Sequence, residues 1–273
     1  MLHLRDLLLC ATLALPLCAQ PAFEVISIKP VSVSGPHPIG FDIQPGGRLH
    51  AVNVPLIMII SAAYDVPFQS ARVTGLPDWA TGQAYDIDAV PEKGAIPPGL
   101  AGKALDAKVQ PMLRSMLADR FKLVMRTEKK ELPIYAVTVA KGGLKLKAAA
   151  MQEKDCGPTA ACHDMHGGMG RGMHSQAADI DDIALFASNW TDRPLVNRTG
   201  LAGLFEVDTE GWAPMQPRQP RADGGPDPEA EALADPSHPT VFMIFSRMGL
   251  KVEAQKGLLD MYVVESVQQP VAN

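Results

Sequence analysis

Apolar residues at Val109, Leu113, Met116, Leu117 and Phe121 recur at helical spacing and predict an amphipathic helix with one inward stripe. Pro111 is expected near the start of that helix, since deeper inside it would cost about 3 kcal/mol. Lys122 to Arg126 then reads as a short strand, Glu128 to Glu131 as a charged turn, and Ile134 to Val139 as a more buried strand stopped by Gly142-Gly143. The pattern returns at the end of the chain. Phe242 to Gln268 reads again as helix, charged strand, turn and apolar strand, so Met112–Ala140 becomes one copy of a repeated element.

The alternation in Phe23 to Ile28 predicts a first strand ended by Pro30. Phe41–Ile43 and Arg48–Val52 flank Gln44-Pro-Gly-Gly47 and predict a hairpin. Asn53 is placed to cap a helix over Leu56–Tyr64 that is apolar nearly all round and hence buried, with Pro55 in its first turn. Tyr85, Ile87 and Ala89 share one face of a strand over Tyr85–Val90. Farther on, Asp179 is a plausible cap for a helix with Ile180, Ile183, Ala187 and Trp190 in its stripe, and Leu204–Asp208 is a strand.

Side by side, the halves share the order helix, Thr-Gly-Leu step (Thr74–Leu76 and Thr199–Leu201), strand, loop, helix and strand pair. The expected fold class is α+β: two copies of a helix–strand–helix–strand–strand unit packed as a pseudo-twofold pair with antiparallel sheets. The expected organisation is a signal peptide over 1–20, a first half over 21–147, a Gly/Met/His linker over 148–176, and a second half over 177–273 with a mobile loop at 213–239.

Composition narrows the setting. The chain has 273 residues, 47% hydrophobic but only 5% aromatic, which calls for an aliphatic core. A net charge of −5 gives no electrostatic case for nucleic acid or an anionic membrane. The apolar run Leu7–Leu17 is too short to span a bilayer permanently and reads as an export signal cut near Ala19 or Gln20, with an uncleaved anchor as the alternative. Cys10 and Cys18 fall within it. Cys156 and Cys162 are then the mature pair, expected to form a local disulfide in an oxidising compartment. Periplasmic or secreted location follows, with no stable span after cleavage.

Candidate chemistry is sparse. His163, His166, Met169, Met173 and His174 offer imidazole and thioether donors suited to Cu(I), but their irregular spacing among glycines, which gives no pre-organisation, better suits a flexible loop with incidental ligands. Asp86 and Asp88 share one strand face, most simply the solvent face, and Asp78 follows Pro77 in a turn, which argues against acid–base work. Asp78, Trp79 and Trp212 form a possible binding surface. There is no H-E-x-x-H, no G-x-S-x-G and no cysteine free to act as a nucleophile, so no catalytic residue and no cofactor are assigned.

A wider set of segments carries a family likeness: Phe23-Glu-Val, Ser27-Ile-Lys-Pro30, Pro45-Gly-Gly-Arg48, Ala63-Tyr64, Pro77-Asp-Trp79, Tyr85-Asp-Ile87, Leu117–Leu123, Glu131–Ala136, Lys141-Gly-Gly, Lys145-Leu-Lys147, Thr199–Gly203 and Gly249-Leu-Lys251. In number and order they resemble a soil-associated secreted bacterial protein family of unknown function. Asn197-Arg-Thr-Gly-Leu stands where that family has Asp-Lys-Thr-Gly-Leu, and Leu76 stands where it has Gly before Pro-Asp-Trp. Similar domains are attached to BlaR-like membrane sensor metallopeptidases. The resemblance implies an exported, non-enzymatic domain that binds or senses a ligand, peptide or envelope partner. The alternatives are an extracytoplasmic hydrolase and a copper-handling protein acting through 163–174.

Overall fold

The structure is a computed structural model that describes residues 21–31, 38–68, 70–160, 162–213 and 239–271. The expected signal over 1–20 and most of the expected mobile loop lie outside the described residues.

The first sheet pairs β1 (Phe23–Pro30), β5 (Ala84–Pro91), β3 (Leu49–Pro55) and β2 (Gly40–Ile43) in that order, all antiparallel. Helices α1 (Leu56–Tyr64) and α3 (Gly102–Arg120) pack on it, with the single turn α2 (Trp79–Gly82) beside them. Ile28, Leu49, Ile87, Ile59, Ile60, Leu113 and Met116 fill the space between, and Tyr85 meets Phe121 edge to face at 5.3 Å. The alternation that predicted β5 thus describes its inner face, while Asp86 and Asp88 point to the side open to solvent. There Asp88 accepts a hydrogen bond from Arg48 at 2.9 Å, which holds its carboxyl below the ordinary range.

A second four-stranded sheet, in the order β7 (Lys147–Ala148), β11 (Phe205–Asp208), β9 (Gly172–Ala178), β8 (His166–Gly168), is covered by α4 (Ile180–Ser188) and α5 (Val241–Arg247). Its connections run in the order of those in the first sheet. Between the two lies a third sheet, β10 (Leu195–Asn197), β6 (Val124–Val139), β12 (Leu250–Ser266), β4 (Val73–Thr74). Here strands far apart in the chain meet: β10 pairs with β6, and β4 with β12. These two pairings are parallel; the rest of the strand pairs are antiparallel, as the α+β reading requires.

Five expectations need correcting. First, β6 has no turn at Glu128–Glu131. It runs unbroken because β12 pairs along it from Val124 to Val139, and the charged residues lie on an open two-stranded ribbon where Lys129 meets Asp260 and Lys256 meets Glu131. Second, Pro111 sits inside α3 rather than near its start. The helix extends to Gly102 because Leu105 and Val109 are buried in the first core, and that burial outweighs the lost Pro111 hydrogen bond to the Ala107 carbonyl. Third, Asn53 does not cap α1. It is a left-handed residue (φ 56°) at an irregularity of β3, with its backbone N–H donating to Asp86, and Pro55 holds the cap position.

Fourth, 148–176 is more than an exposed linker. It supplies β8 and the start of β9, and Met173 is fully buried in the second core. Fifth, the shared Thr-Gly-Leu steps occupy different places. Val73 of β4 pairs with Tyr262, and Leu195 of β10 pairs with Tyr135. Aligned by those tyrosines, Thr74 matches Val196, whereas Thr199 lies beyond the end of β10.

Candidate functional site

A cleft of about 650 Å³ opens between α3 and α4 and is floored by β10. Its wall begins with the N-terminus of α4. Asp179 caps this helix by accepting from the Asp182 backbone N–H at 2.9 Å, and the Asp182 carboxylate reciprocates toward the Asp179 N–H at 2.9 Å. The capping role of Asp179 read from the sequence is therefore seen, with Asp182 as its unrecognised partner. Such reciprocal caps satisfy two helix-end donors at once.

Those two carboxylates also face α3. Lys103 Nζ lies 2.5 Å from Asp179 Oδ2 and 3.1 Å from Asp182 Oδ1. On the other side, the His163 ring places Nδ1 2.7 Å from Asp182 Oδ2 and Nε2 3.0 Å from Glu153 Oε2. The His163 side chain is only 4% exposed and that of Asp182 10%. A chain of four groups, Glu153, His163, Asp182 and Lys103, thus joins the disulfide loop to both helices.

Local structure fixes His163 from three directions. The disulfide Cys156–Cys162 closes the loop that ends next to it, with a Cα–Cα distance of 5.6 Å. Its backbone N–H donates to Ala177 on β9 at 2.7 Å. Gly102 lies against the ring: a Cβ there would sit 2.9 Å from His163 Cδ2, and Gly102 itself is left-handed (φ 51°). His163 also has a left-handed backbone (φ 59°), as does Asp65 (φ 51°) on the opposite side of the cleft. Such backbones carry strain that a surrounding structure must hold, and both residues here line one cavity.

Electrostatics mark the same place. Burial raises the Asp182 carboxyl, and repulsion from Asp179 adds to it, against the pull of His163 and Lys103. Burial would also raise Asp179, but the hydrogen bonds from Lys103 and from the Asp182 backbone outweigh it and hold Asp179 low. Lys103 is lowered by burial yet raised overall by its two carboxylate partners. Asp106, one helical turn beyond Lys103 in the cleft, is pushed up by burial first and by Asp65 next. It differs from Asp182 in having no hydrogen-bonded side chain among the described residues.

This gives a prediction with a definite sign. The folded protein holds the Asp106 proton more tightly than the unfolded chain does, so Asp106 favours folding below the unfolded-state pKa of about 3.9 and loses that contribution as pH rises through its higher folded value. Asp106→Asn is therefore expected to stabilise the protein at pH 7, by about 0.5–2 kcal/mol on the scale of removing one unfavourable charge. Thermal melts across pH 3 to 7 should show the gain shrink toward acid. An equal gain at both ends would remove the electrostatic account.

The residues singled out in the sequence are dispersed. His163 enters the cleft wall, but His166 and His174 face each other across β8 and β9 with ring centroids 5.6 Å apart. His174 is taken up by Asp208 at 2.8 Å and the Arg171 carbonyl at 2.7 Å. Met173 is a core residue and Met169 packs against that core, so the structure does not gather the five into a thioether–imidazole site. Asp78 is exposed at the start of α2, Trp79 packs partly buried on the first core, and Trp212 is fully buried in the second, so these three form no common surface. Lys103, Asp106, Glu153 and Asp182 were missed. The signals available were Asp182 three residues after the Asp179 cap, and two polar residues one turn apart on the helix face away from the apolar stripe.

Among the described residues the cleft holds one hydroxyl, on Ser188, which donates to the Ala184 carbonyl at 2.7 Å and accepts from the Leu195 N–H at 2.8 Å. Beside the charged groups, Pro67, Leu185, Leu195 and Leu259 give the cleft apolar walls. Among the described residues no helix is long and apolar enough to cross a membrane.

A family model described as "Protein of unknown function (DUF3738)" matches residues 57–267. No curated protein and no solved structure matches.

Proposed function

This chain belongs to the family described as "Protein of unknown function (DUF3738)", and from that premise we propose that it is an exported, non-enzymatic binding or sensing domain. Its cleft between α3 and α4 takes a peptide, a small ligand or a segment of an envelope partner. The observation that carries this reading is the convergence of Lys103, Asp106, His163 and Asp182 on one apolar-walled cavity of about 650 Å³, within the usual size range of ligand sites, about 300–1,000 Å³. Export is supported by the apolar leader and by the Cys156–Cys162 disulfide. The sensing role rests on the resemblance to domains attached to membrane sensors. The matching connection order of the first two sheets supports a duplicated unit as the origin of the two halves.

Absence of enzymatic activity is favoured by the engaged groups: the Ser188 hydroxyl already gives its proton to the Ala184 carbonyl, and both His163 nitrogens face carboxylates. A hydrolase is the second reading, and Asp106 is the observation that favours it. A raised, unpartnered carboxyl in a cleft is the kind of group that acts as a general acid.

The two are separable with the mature chain, soluble cell-wall fragments and short peptides, followed by amide chemical shifts. Binding is expected to shift α3, α4 and β10, and Ala107→Trp, which fills the cleft from an exposed position on α3, should weaken it at least tenfold without lowering the melting temperature. Undiminished binding by Ala107→Trp removes the cleft as the site. Turnover of a fragment that is lost in Asp106→Asn replaces the binding reading with the hydrolase.

A further inference from the structure

Four side chains at the mouth of the disulfide loop have the chemistry of a metal centre. Sulfur and nitrogen or oxygen donors of Glu153, Cys156 and His163 all lie within 4.8 Å of one another. Cys162 is bonded to Cys156, so its sulfur is in the same place. Tetrahedral zinc, with bonds of about 2.0–2.3 Å, needs its ligand atoms roughly 3.3–3.8 Å apart, a modest adjustment from this arrangement.

The outer contacts also fit. A metal-ligating histidine commonly donates its second ring N–H to a carboxylate, which fixes the tautomer and aims the free nitrogen at the ion. Asp182 accepts from His163 Nδ1 at 2.7 Å, and the remaining Nε2 is the nitrogen turned toward Glu153. The backbone is anchored independently of the sulfur–sulfur bond. Glu153 rides on a short 3-10 turn with a capping box between Gln152 and Asp155; Cys162 is bridged to Ala177, and the His163 N–H donates to the same residue.

We propose that the reduced form of this loop is a zinc site with Cys156, Cys162, His163 and Glu153 as ligands, so that disulfide and metal are alternative clamps on the same cleft wall. A dithiol reductant opens the bond: it supplies two electrons and two protons, becomes a disulfide itself, and leaves Cys156 and Cys162 as thiols. Zn²⁺ then displaces the two thiol protons and is held by two thiolates, one carboxylate and one neutral imidazole. Four protein ligands make a closed site, which organises structure rather than activating water. Reduction without metal removes the covalent link between Cys156 and Cys162 while the backbone anchors at Gln152–Asp155 and Ala177 keep the ligands near one another; zinc links them again. Cys156 is half-buried rather than fully covered, which gives a reductant access.

The test uses the mature full-length chain, reduced with a dithiol under anaerobic conditions and desalted, with Co²⁺ as a spectroscopic substitute for Zn²⁺. One Co²⁺ per chain is expected, with a thiolate-to-cobalt charge-transfer band and tetrahedral ligand-field bands, and Zn²⁺ should displace it. The oxidised protein should show neither. Glu153→Gln, at a side chain 68% exposed and so safe for folding, is expected to weaken binding at least tenfold, and Asp182→Asn about 10–100-fold by disorienting His163. Circular dichroism verifies the fold of each variant. No thiolate band in the reduced wild type overturns the proposal. So does equal affinity in His163→Ala and Glu153→Gln, which would reduce the site to two adjacent thiols.

Discussion

Trp212→Ala is expected to lower the free energy of unfolding by about 3–5 kcal/mol, the range for emptying a buried aromatic site. Against a typical total of about 5–15 kcal/mol, that is a large share of the protein's stability. Trp212 is fully buried in the second core, meets Trp190 edge to face at 5.8 Å, and ties its backbone N–H to the Met169 carbonyl at 2.5 Å. It therefore holds the segment after β11 against the turn that precedes β9. Its indole N–H has no hydrogen-bond partner among the described residues. An unpaired buried donor is unfavourable, so Trp212→Phe, which removes it along with part of the volume, should be far milder than Trp212→Ala. Urea unfolding checks both: the midpoint should fall with an unchanged slope, steeply for alanine and slightly for phenylalanine. A loss below 1 kcal/mol for Trp212→Ala would return this residue to the ligand-facing role that its sequence position suggested.

Trp212 also illustrates what the sequence could and could not disclose. Local periodicity identified the elements whose partners are nearby in kind: the stripe of α3, the inner face of β5, and the Asp179 cap of α4. It failed where the decisive partner lies far along the chain. Glu128–Glu131 looks like a turn on its own charges, and only pairing with residues near 258–261 makes it strand. Pro111 looks like a helix start until Leu105, about two turns ahead of it, is seen in the core. Met173, in a run rich in glycine and histidine, carries no apolar period, yet it fills the second core because β9 alternates between that core and the solvent-side residues His174 and Gln176.

The cleft was invisible for the same reason. Its charged groups come from the end of α1, the segment before β4, the start of α3, the residue after the disulfide loop and the first turn of α4, and each alone reads as a solvated surface residue. His163 was noticed, but as a member of the wrong group: its neighbours in sequence are His166 and Met169, whereas its neighbours in space are Glu153 and Asp182. The cysteine pair was the legible clue. Its closure places Glu153 and His163 on the two ends of one short loop, which is the geometry on which the cleft wall depends.

That wall is reached through β9, and this sets the second large effect. Gly172→Ala should destabilise the protein by about 2–6 kcal/mol, because two independent penalties add at one residue. The backbone is at φ 85°, ψ −178°, a region essentially reserved to glycine, where another residue costs about 1–3 kcal/mol. A Cβ at this position would also stand 1.9 Å from the Thr209 carbonyl oxygen, a backbone atom that cannot swing aside, and overpacking costs about 1–3 kcal/mol more. Relief requires β9 to part from the segment after β11, where Thr209 N–H donates to the Met173 carbonyl and the Thr209 hydroxyl accepts from the Met173 N–H. The disturbance then runs along β9 to Ala177, the residue that holds His163 and Cys162. Hydrogen exchange should accordingly show lost protection at Met173, Thr209 and His163 together. Gly142→Ala is the control, since a Cβ there meets nothing within 4 Å, and it should change stability by less than about 0.5 kcal/mol. A Gly172→Ala protein as stable as the control would mean that β9 and the segment at Thr209 are not packed as described, and the support for the cleft wall would go with them.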